Sequence, residues 1–115
     1  MPRFVVLAHD HPFLHWDLLL ERGEALRAWR LLAEPLSAGS IAAQPLPDHR
    51  PMYLDYEGPL SGDRGSVARW DAGTFETRGE SECRLELDFA GARLRGTFRL
   101  ECGTAEEWRF HSPPD

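Results

Sequence analysis

Lysine is absent from this sequence of 115 residues, so that all 13 of its basic residues are arginines. The 19 acidic residues give a formal net charge of −6, which argues against a broad nucleic-acid-binding surface. No apolar run approaches the roughly 20 residues that span a bilayer, and the N-terminus lacks the apolar segment of a signal peptide. We therefore expect a cytoplasmic protein that does not enter a membrane. Any contact with phosphate should come from a local group of arginines.

Cysteine is nearly absent as well. Cys83 and Cys102 are the only two, lie 19 residues apart and form no CxxC motif. This spacing favours reduced, partly buried thiols over a disulfide or a zinc site. The sequence also lacks internal repeats, and its length suits a single domain with one core. We place that domain at residues 1–111, expect a frayed tail over 112–115, and expect a monomer.

The rest of the sequence is a series of short segments in which apolar and polar residues alternate, separated by turns that contain glycine or proline. Strands are predicted over residues 3–8, 14–21, 25–32, 66–70, 74–77, 83–89, 92–100 and 107–111, with a short helical turn as the alternative for 25–32. Three prolines predict a long loop over 33–47 with one helical turn near 40–43, and a partly ordered loop follows over 48–59. Seven or eight short strands with little helix indicate an all-β protein, namely a small antiparallel β-barrel.

One stretch stands out chemically, because three of the five histidines lie within residues 9–15. Alternation along a strand puts His15 and Asp17 on one face. The opposite face is apolar and comprises Leu14, Trp16, Leu18 and Leu20. Two residues along a strand span about 6.6–6.8 Å, so His15 and Asp17 can converge on one ion, and a hairpin loop over 10–13 would fold His9 beside them.

Two imidazoles and a carboxylate suit zinc, manganese or iron, with positions left open for a substrate. A histidine followed two residues later by an aspartate also occurs by chance, and most histidines in small domains are surface or hydrogen-bonded residues. From the residues alone, both interpretations stay open.

Three blocks of the sequence carry a family likeness. They are FVVLAHDHPFLHWD at residues 4–17, DHRPMYLDYEG at 48–58 and the looser VARWDAGTF at 67–75. They resemble the patterns F-V-V-x-x-H-D-x-x-x-L-H-x-D, D-H-x-x-x-Y-x-D-[FY]-E-G and V-x-x-W-D-x-G-x-[WF] of the 3′-phosphoesterase module of bacterial DNA ligase D. The likeness covers about residues 3–110.

The resemblance implies a β-barrel with a groove on its outer surface. It also implies an enzyme of DNA repair by non-homologous end joining, which removes 3′-phosphates and 3′-terminal ribonucleosides with a divalent metal. Manganese is the expected ion, with zinc or another transition metal as alternatives. By matched position, His9, His15 and Asp17 would be the metal ligands and His49 and Tyr53 the catalytic or phosphate-contacting pair. The implied partners are a nucleic-acid 3′ end or another phosphoester, and DNA-repair proteins.

Several polar positions of that family carry apolar residues here. They are Leu7 in place of a glutamine, Leu19 in place of a basic side chain, Ala33 in place of a lysine and Ile41 in place of an arginine. Arg50 and Arg64 are our candidates for substrate binding, and Arg30 is a further possible replacement. The alternative is a catalytically degenerate module that binds a metal or a DNA end. A His-x-Asp iron oxygenase with His49 or His111 as third ligand is more distant, because the chain is short for that scaffold.

Overall fold

The computed structural model describes residues 1–104 and 107–114. Within them the chain forms nine strands and one 3-10 helix at Pro51–Leu54, and no helix in that part of the chain is long and apolar enough to span a bilayer. The strands are β1 (Arg3–His9), β2 (His15–Arg22), β3 (Ala25–Leu31), β4 (Ser40–His49), β5 (Gly58–Pro59), β6 (Ser66–Ser81), β7 (Arg84–Gly91), β8 (Arg95–Thr104) and β9 (Glu107–His111). The all-β prediction is confirmed.

The strands form one antiparallel sheet that closes into a ring. Their order is β1-β2-β3-β4-β9-β8-β7-β6-β5, and an additional pairing between β1 and β6 closes the ring. In that pairing Arg3 lies opposite Thr74 and His9 lies opposite Val67. The two-residue strand β5 attaches to β6 beside Val67.

Apolar residues fill the inside of the ring and also cover part of its outer surface. The interior core includes Phe4, Leu18, Leu20, Trp29, Leu87, Phe89, Phe98 and Phe110. A second group, the outer cluster, consists of Val5, Leu7, Leu19, Leu26, Ala28, Leu54 and Val67. Because neighbouring residues of a strand point to opposite faces, Leu18 and Leu20 pack inside while Leu19 packs outside. The 3-10 helix contributes Leu54 to the outer cluster and so lies over the outer surface.

Strand β4 corrects the prediction of a loop over 33–47 with a helical turn near 40–43. Residues 40–49 are extended and pair with β3, Pro45 lying opposite Trp29. The backbone N–H of Leu32 donates to the Ala42 carbonyl (3.0 Å), so these two residues form a hydrogen-bonded pair. Hydrogen-bonded and non-hydrogen-bonded pairs alternate along an antiparallel ladder, which makes Pro45 and Trp29 a non-hydrogen-bonded pair. Within residues 107–111, strand β9 pairs with β4 as far as Ala43. Pro45 therefore costs no hydrogen bond to β3.

Strand β6 corrects a second prediction, that Asp71-Ala72-Gly73 forms a tight turn. These residues continue one strand from Ser66 to Ser81. The buried Asp71 carboxylate accepts hydrogen bonds from the backbone N–H groups of Ala92 (2.9 Å), Arg93 (3.1 Å) and Leu94 (2.7 Å). Asp71 thus organises the connection between β7 and β8, which lies at residues 92–94 and not at the predicted Ala90-Gly91.

The cysteines form a disulfide between the ends of β7 and β8, so the expectation of reduced thiols was wrong. Their Cα atoms are 5.0 Å apart, because the register pairs Arg84 with Glu101 and brings the flanking cysteines together. Cys83 is exposed, whereas Leu85 and Leu87 of β7 are buried, so the expectation of partial burial was wrong for Cys83 as well. Leu14 is likewise 57 % exposed and lies before β2 instead of on its apolar face.

Candidate functional site

Two histidines and an aspartate meet on the outer surface of the β1–β2 hairpin. His9 lies directly opposite His15 in the register of the two strands, and Leu7 lies opposite Asp17. The loop between the strands follows His9, as predicted. His15 is fully buried and Asp17 is 5 % exposed, so water competes little for these groups.

The three side chains are close enough to bind one ion. The Asp17 carboxylate places Oδ2 3.2 Å from His9 Nδ1 and Oδ1 3.1 Å from His15 Nε2. The ligand atoms all lie within 4.8 Å of one another. Two ligands bonded to one ion at about 2.0–2.2 Å and at a right angle are about 3 Å apart, so these separations suit a shared cation. We call this group the His-His-Asp cluster.

Backbone carbonyls fix which nitrogen of each ring is available. His15 Nδ1 lies 2.9 Å from the Phe13 carbonyl oxygen, and His9 Nε2 lies 2.9 Å from the Arg64 carbonyl oxygen. A carbonyl only accepts, so these nitrogens donate, and the other nitrogen of each ring faces Asp17. His9 Nδ1 is within hydrogen-bonding distance of Asp17 Oδ2 (3.2 Å). In the neutral form of either ring this second nitrogen carries the lone pair that a metal ion needs. Such hydrogen bonds to carbonyls also orient metal-ligating histidines.

His15 and Asp17 lack the hydrogen bond that their proximity suggests. Among the described residues, neither His15 Nε2 nor Asp17 Oδ1 has a hydrogen-bond partner, although both atoms are buried. They are 3.1 Å apart but not aligned as donor and acceptor. Burial lowers the pKa of His15 below its ordinary value of 6.5, against the opposing effect of Asp17, and so favours the neutral ring. A lone pair and a carboxylate oxygen that face each other in a buried place fit a divalent cation.

A cavity of about 650 Å³ opens beside the cluster, a volume typical of small-molecule sites. It brings together six of the seven residues that the sequence singled out, namely His9, Asp17, His49, Arg50, Tyr53 and Arg64. The seventh, His15, is buried behind them. Leu7 and Leu19 also line the cavity, so its floor is apolar at two of the positions where the resembling family has polar groups.

The second sequence block reaches the cavity because the segment after β4 folds across the outer cluster. Leu54 is buried there, and Asp55 forms an ion pair with Arg3 of β1 (2.6 Å). This pairing lowers the pKa of the Asp55 carboxyl. Tyr53 then lies against His49, with ring centroids 5.9 Å apart, and His49 Nδ1 donates to the Pro47 carbonyl (2.9 Å).

The two candidate arginines differ in their surroundings. Arg64 Nε donates to the Ser61 carbonyl (2.8 Å) and Nη2 to Ser61 Oγ (3.1 Å), so its guanidinium is held against its own turn. Arg50 is exposed at the end of β4. Arg30, the third possible replacement, is a neighbour of Asp17 across β2 and β3. Ile41 belongs to the interior core, so its side chain contributes nothing to the cavity.

Sequence reasoning missed the part played by the 61–65 turn. The Arg64 carbonyl holds His9, and the Ser66 N–H donates to Asp10 Oδ1 (2.8 Å), which ties the turn to the β1–β2 loop. Only the Gly62-Asp63-Arg64-Gly65 sequence signalled a turn, and nothing in it indicated what the turn would contact. His111, offered as a ligand in the oxygenase alternative, lies on β9 and is not part of the His-His-Asp cluster.

Comparison with known proteins identifies a family for this chain. A search of curated proteins found no match. The sequence model of the family described as "DNA Ligase D 3'-phosphoesterase domain" matches residues 7–101. This range contains all seven candidate site residues and most of the closed sheet. The chain therefore belongs to the DNA ligase D 3′-phosphoesterase domain family.

Proposed function

We propose that this chain is a divalent-metal-dependent phosphoesterase that removes 3′-phosphates and 3′-terminal ribonucleosides from DNA ends. Family membership supports a 3′-phosphoesterase-type role in DNA repair. The observation that carries the proposal further is the buried pair of His15 Nε2 and Asp17 Oδ1, neither of which has a hydrogen-bond partner among the described residues. Such a pair suits a cation at the edge of the cavity. Non-homologous end joining is the proposed context and manganese the proposed ion.

His9, His15 and Asp17 would hold the ion through His9 Nδ1, His15 Nε2 and the Asp17 carboxylate. A bound divalent cation offsets the negative charge of a phosphoryl group and lowers the pKa of bound water. The Phe13 and Arg64 carbonyls hold the two rings in the orientation that ion binding requires. Burial of the cluster strengthens each of these electrostatic contacts.

His49 and Tyr53 are the proposed catalytic pair. Because the Pro47 carbonyl accepts a hydrogen bond from Nδ1, Nε2 of His49 is the nitrogen that can serve the substrate. In the imidazolium form of His49, in which both nitrogens carry a proton, this nitrogen would donate a proton to the leaving oxygen or a hydrogen bond to the phosphate. Tyr53 packs against the ring and offers a hydroxyl donor. Arg50 and Arg64 would contact the phosphate, and two of the five guanidinium N–H groups of Arg64 already hold the turn.

The apolar floor favours a second candidate, a catalytically degenerate module that binds a metal or a DNA end. Leu7 and Leu19 line the cavity where the family resemblance led us to expect polar side chains. Each missing charge-assisted hydrogen bond would remove about 1.5–3 kcal/mol of phosphate binding. Under this alternative, the chain keeps ion binding and loses turnover.

The deciding experiment is an end-processing assay with a recessed primer-template that carries a 3′-phosphate or a terminal ribonucleotide, in the presence of Mn²⁺. We expect turnover by the wild type. The His49→Ala variant should lose about 10²–10⁴-fold in rate while it binds Mn²⁺ as the wild type does in calorimetry. His9→Ala should lose both.

Arg50→Ala and Arg64→Ala test the two arginines in the same assay and should raise KM more than they lower kcat. Leu36→Ala, an exposed apolar truncation outside the cavity, is the control. Ion binding without turnover in the wild type would favour the degenerate module, and the absence of both would contradict the proposed function.

A further inference from the structure

An exposed apolar surface borders the His-His-Asp cluster on the side of β3. It consists of Phe13, Leu14 and Leu32, which are 51 %, 57 % and 37 % exposed, together with Arg30. Arg30 lies opposite Asp17 in the β2–β3 register, and Trp16 lies opposite Leu31, so Leu32 falls beside His15. We call these four residues the Phe13 platform.

Two neighbouring side chains hold the aromatic ring of the platform in place. The Phe13 carbonyl accepts the hydrogen bond of His15 Nδ1 (2.9 Å), so the backbone of Phe13 is fixed by the cluster itself. The Phe13 ring lies edge-to-face with the His15 ring at 5.6 Å. The Arg30 guanidinium carbon lies over the Phe13 ring, 5.6 Å from its centroid. The ring and the cation therefore form one pre-arranged unit.

The composition of the platform indicates the chemistry of its ligand. An exposed ring and leucines favour a flat apolar partner, because the burial of their surface is favourable. Arg30 adds positive charge next to the carboxylate of the ion site, and its buried Nε has no hydrogen-bond partner among the described residues. A ligand with a flat aromatic face and an adjacent anionic group matches both features, and a nucleotide has this combination.

We propose that the Phe13 platform stacks the terminal nucleobase of the strand whose phosphoester lies at the His-His-Asp cluster. This proposal rests on the proposed function. Phe13 supplies the stacking face, the leucines extend it, and Arg30 donates to the phosphate or to the base edge. Stacking on an aromatic side chain is tolerant of sequence, which suits an enzyme that trims ends of any sequence. Phe13 is thus a specificity-determining residue that separates nucleic-acid ends from smaller phosphoesters.

The test uses two 5′-fluorescein oligonucleotides with a 3′-hydroxyl, the product of the proposed reaction, bound to the full chain with Mn²⁺. One ends in 2-aminopurine and the other in an abasic nucleotide. We expect the wild type to bind the first about 5- to 150-fold more tightly, which corresponds to about 1–3 kcal/mol for one stacked base. The 2-aminopurine fluorescence should fall on binding.

Phe13→Ala should bind both oligonucleotides with the lower affinity and without the change in 2-aminopurine fluorescence. Phe13→Trp should restore both properties, and Phe13→Leu should restore neither fully. Leu36→Ala, at an exposed apolar position away from the platform, should behave as the wild type. Mn²⁺ affinity, measured by calorimetry, should be the same in Phe13→Ala and the wild type.

Four results would overturn the stacking proposal. Equal base preference in Phe13→Ala and the wild type would exclude a stacking role while leaving the proposed function intact. A loss of Mn²⁺ affinity in Phe13→Ala without a change in base preference would identify Phe13 as a cover for His15. Self-association of the wild type that Phe13→Ala abolishes would identify the surface as an interface between copies. If the wild type bound neither oligonucleotide, the proposed function would fail together with the platform.

Discussion

The substitution Gly65→Ala probes how the 61–65 turn supports the ion site. Gly65 has a φ of +75°, where an alanine costs about 1–2 kcal/mol. A Cβ at this position would also overlap Asp10 Oδ1 and lie 2.7 Å from His11 Cβ. The Asp10 carboxylate is held by the Ser66 N–H, and His11 Cβ is attached directly to the backbone. The turn and the β1–β2 loop must therefore move apart.

The consequence falls on His9, whose Nε2 donates to the carbonyl of Arg64, the residue before Gly65. Loss of a hydrogen bond that orients a metal ligand typically lowers metal affinity 10- to 100-fold. Gly62 offers a matched control, since its φ is +70° and a Cβ there would meet nothing within 4 Å. Both alanine variants should lose about 1–2 kcal/mol of unfolding free energy from the backbone conformation, and only Gly65→Ala should lose the ion affinity.

Titration calorimetry with Mn²⁺ and urea denaturation measure the two quantities separately. We expect the affinity of Gly62→Ala to lie within about two-fold of the wild type and that of Gly65→Ala to fall at least 10-fold. Equal Mn²⁺ affinity in the two variants would refute the reasoning, because the turn would then have no influence on His9.

Three further predictions concern stability. Asp71→Asn removes the charge that strengthens three hydrogen bonds and replaces one acceptor oxygen by a donor, and it should lower the unfolding free energy in urea by about 3 kcal/mol or more. Asp88→Asn, at a surface ion pair with Arg78, should change it by less than about 1 kcal/mol, and similar values for the two variants would contradict the buried role of Asp71. The double variant Cys83→Ser/Cys102→Ser removes a covalent link between residues 19 positions apart, and its unfolding free energy should be about 3 kcal/mol lower than that of the wild type. A reducing agent should destabilise the wild type and leave the double variant unchanged. Burial, followed by the charge of Arg99, lowers the pKa of His111 below 6.5 in the folded protein. The unfolded chain therefore binds the proton first as the pH drops, and the unfolding free energy should fall below about pH 6.5. His111→Gln should weaken that fall, and an unaltered pH dependence of stability would exclude the contribution of His111.

The hairpin that carries the ion site could be predicted because its information is local. Alternation from His15 to Leu20 and the short loop after His9 together determine which side chains share a face. The position of His49 could not be predicted from spacing, since it depends on β4 pairing with β3 and on Leu54 packing into the outer cluster. Only the family resemblance linked that block to the first one.

The errors arose where tertiary partners override local signals. Pro45 suggests a loop from the sequence alone. In the structure it lies in strand β4, at a position where no hydrogen bond to β3 is required. Asp71 and Gly73 are residue types typical of a turn, but strand β6 continues through both of them. The Asp71 carboxylate instead accepts a hydrogen bond from the backbone of Leu94, in the turn between β7 and β8. The cysteines gave no sequence signal, because only the β7–β8 register brings them together.

The ring of the sheet has a consequence for the order in which the site assembles. His9, His15 and Asp17 belong to one hairpin, and hairpins form in about 1–10 μs. The Arg64 carbonyl reaches His9 only when β6 meets β1, a contact between distant parts of the chain, and such contacts form late during folding. On the proposed function, a folding chain would acquire affinity for cations before it acquires the rigidity to discriminate among them.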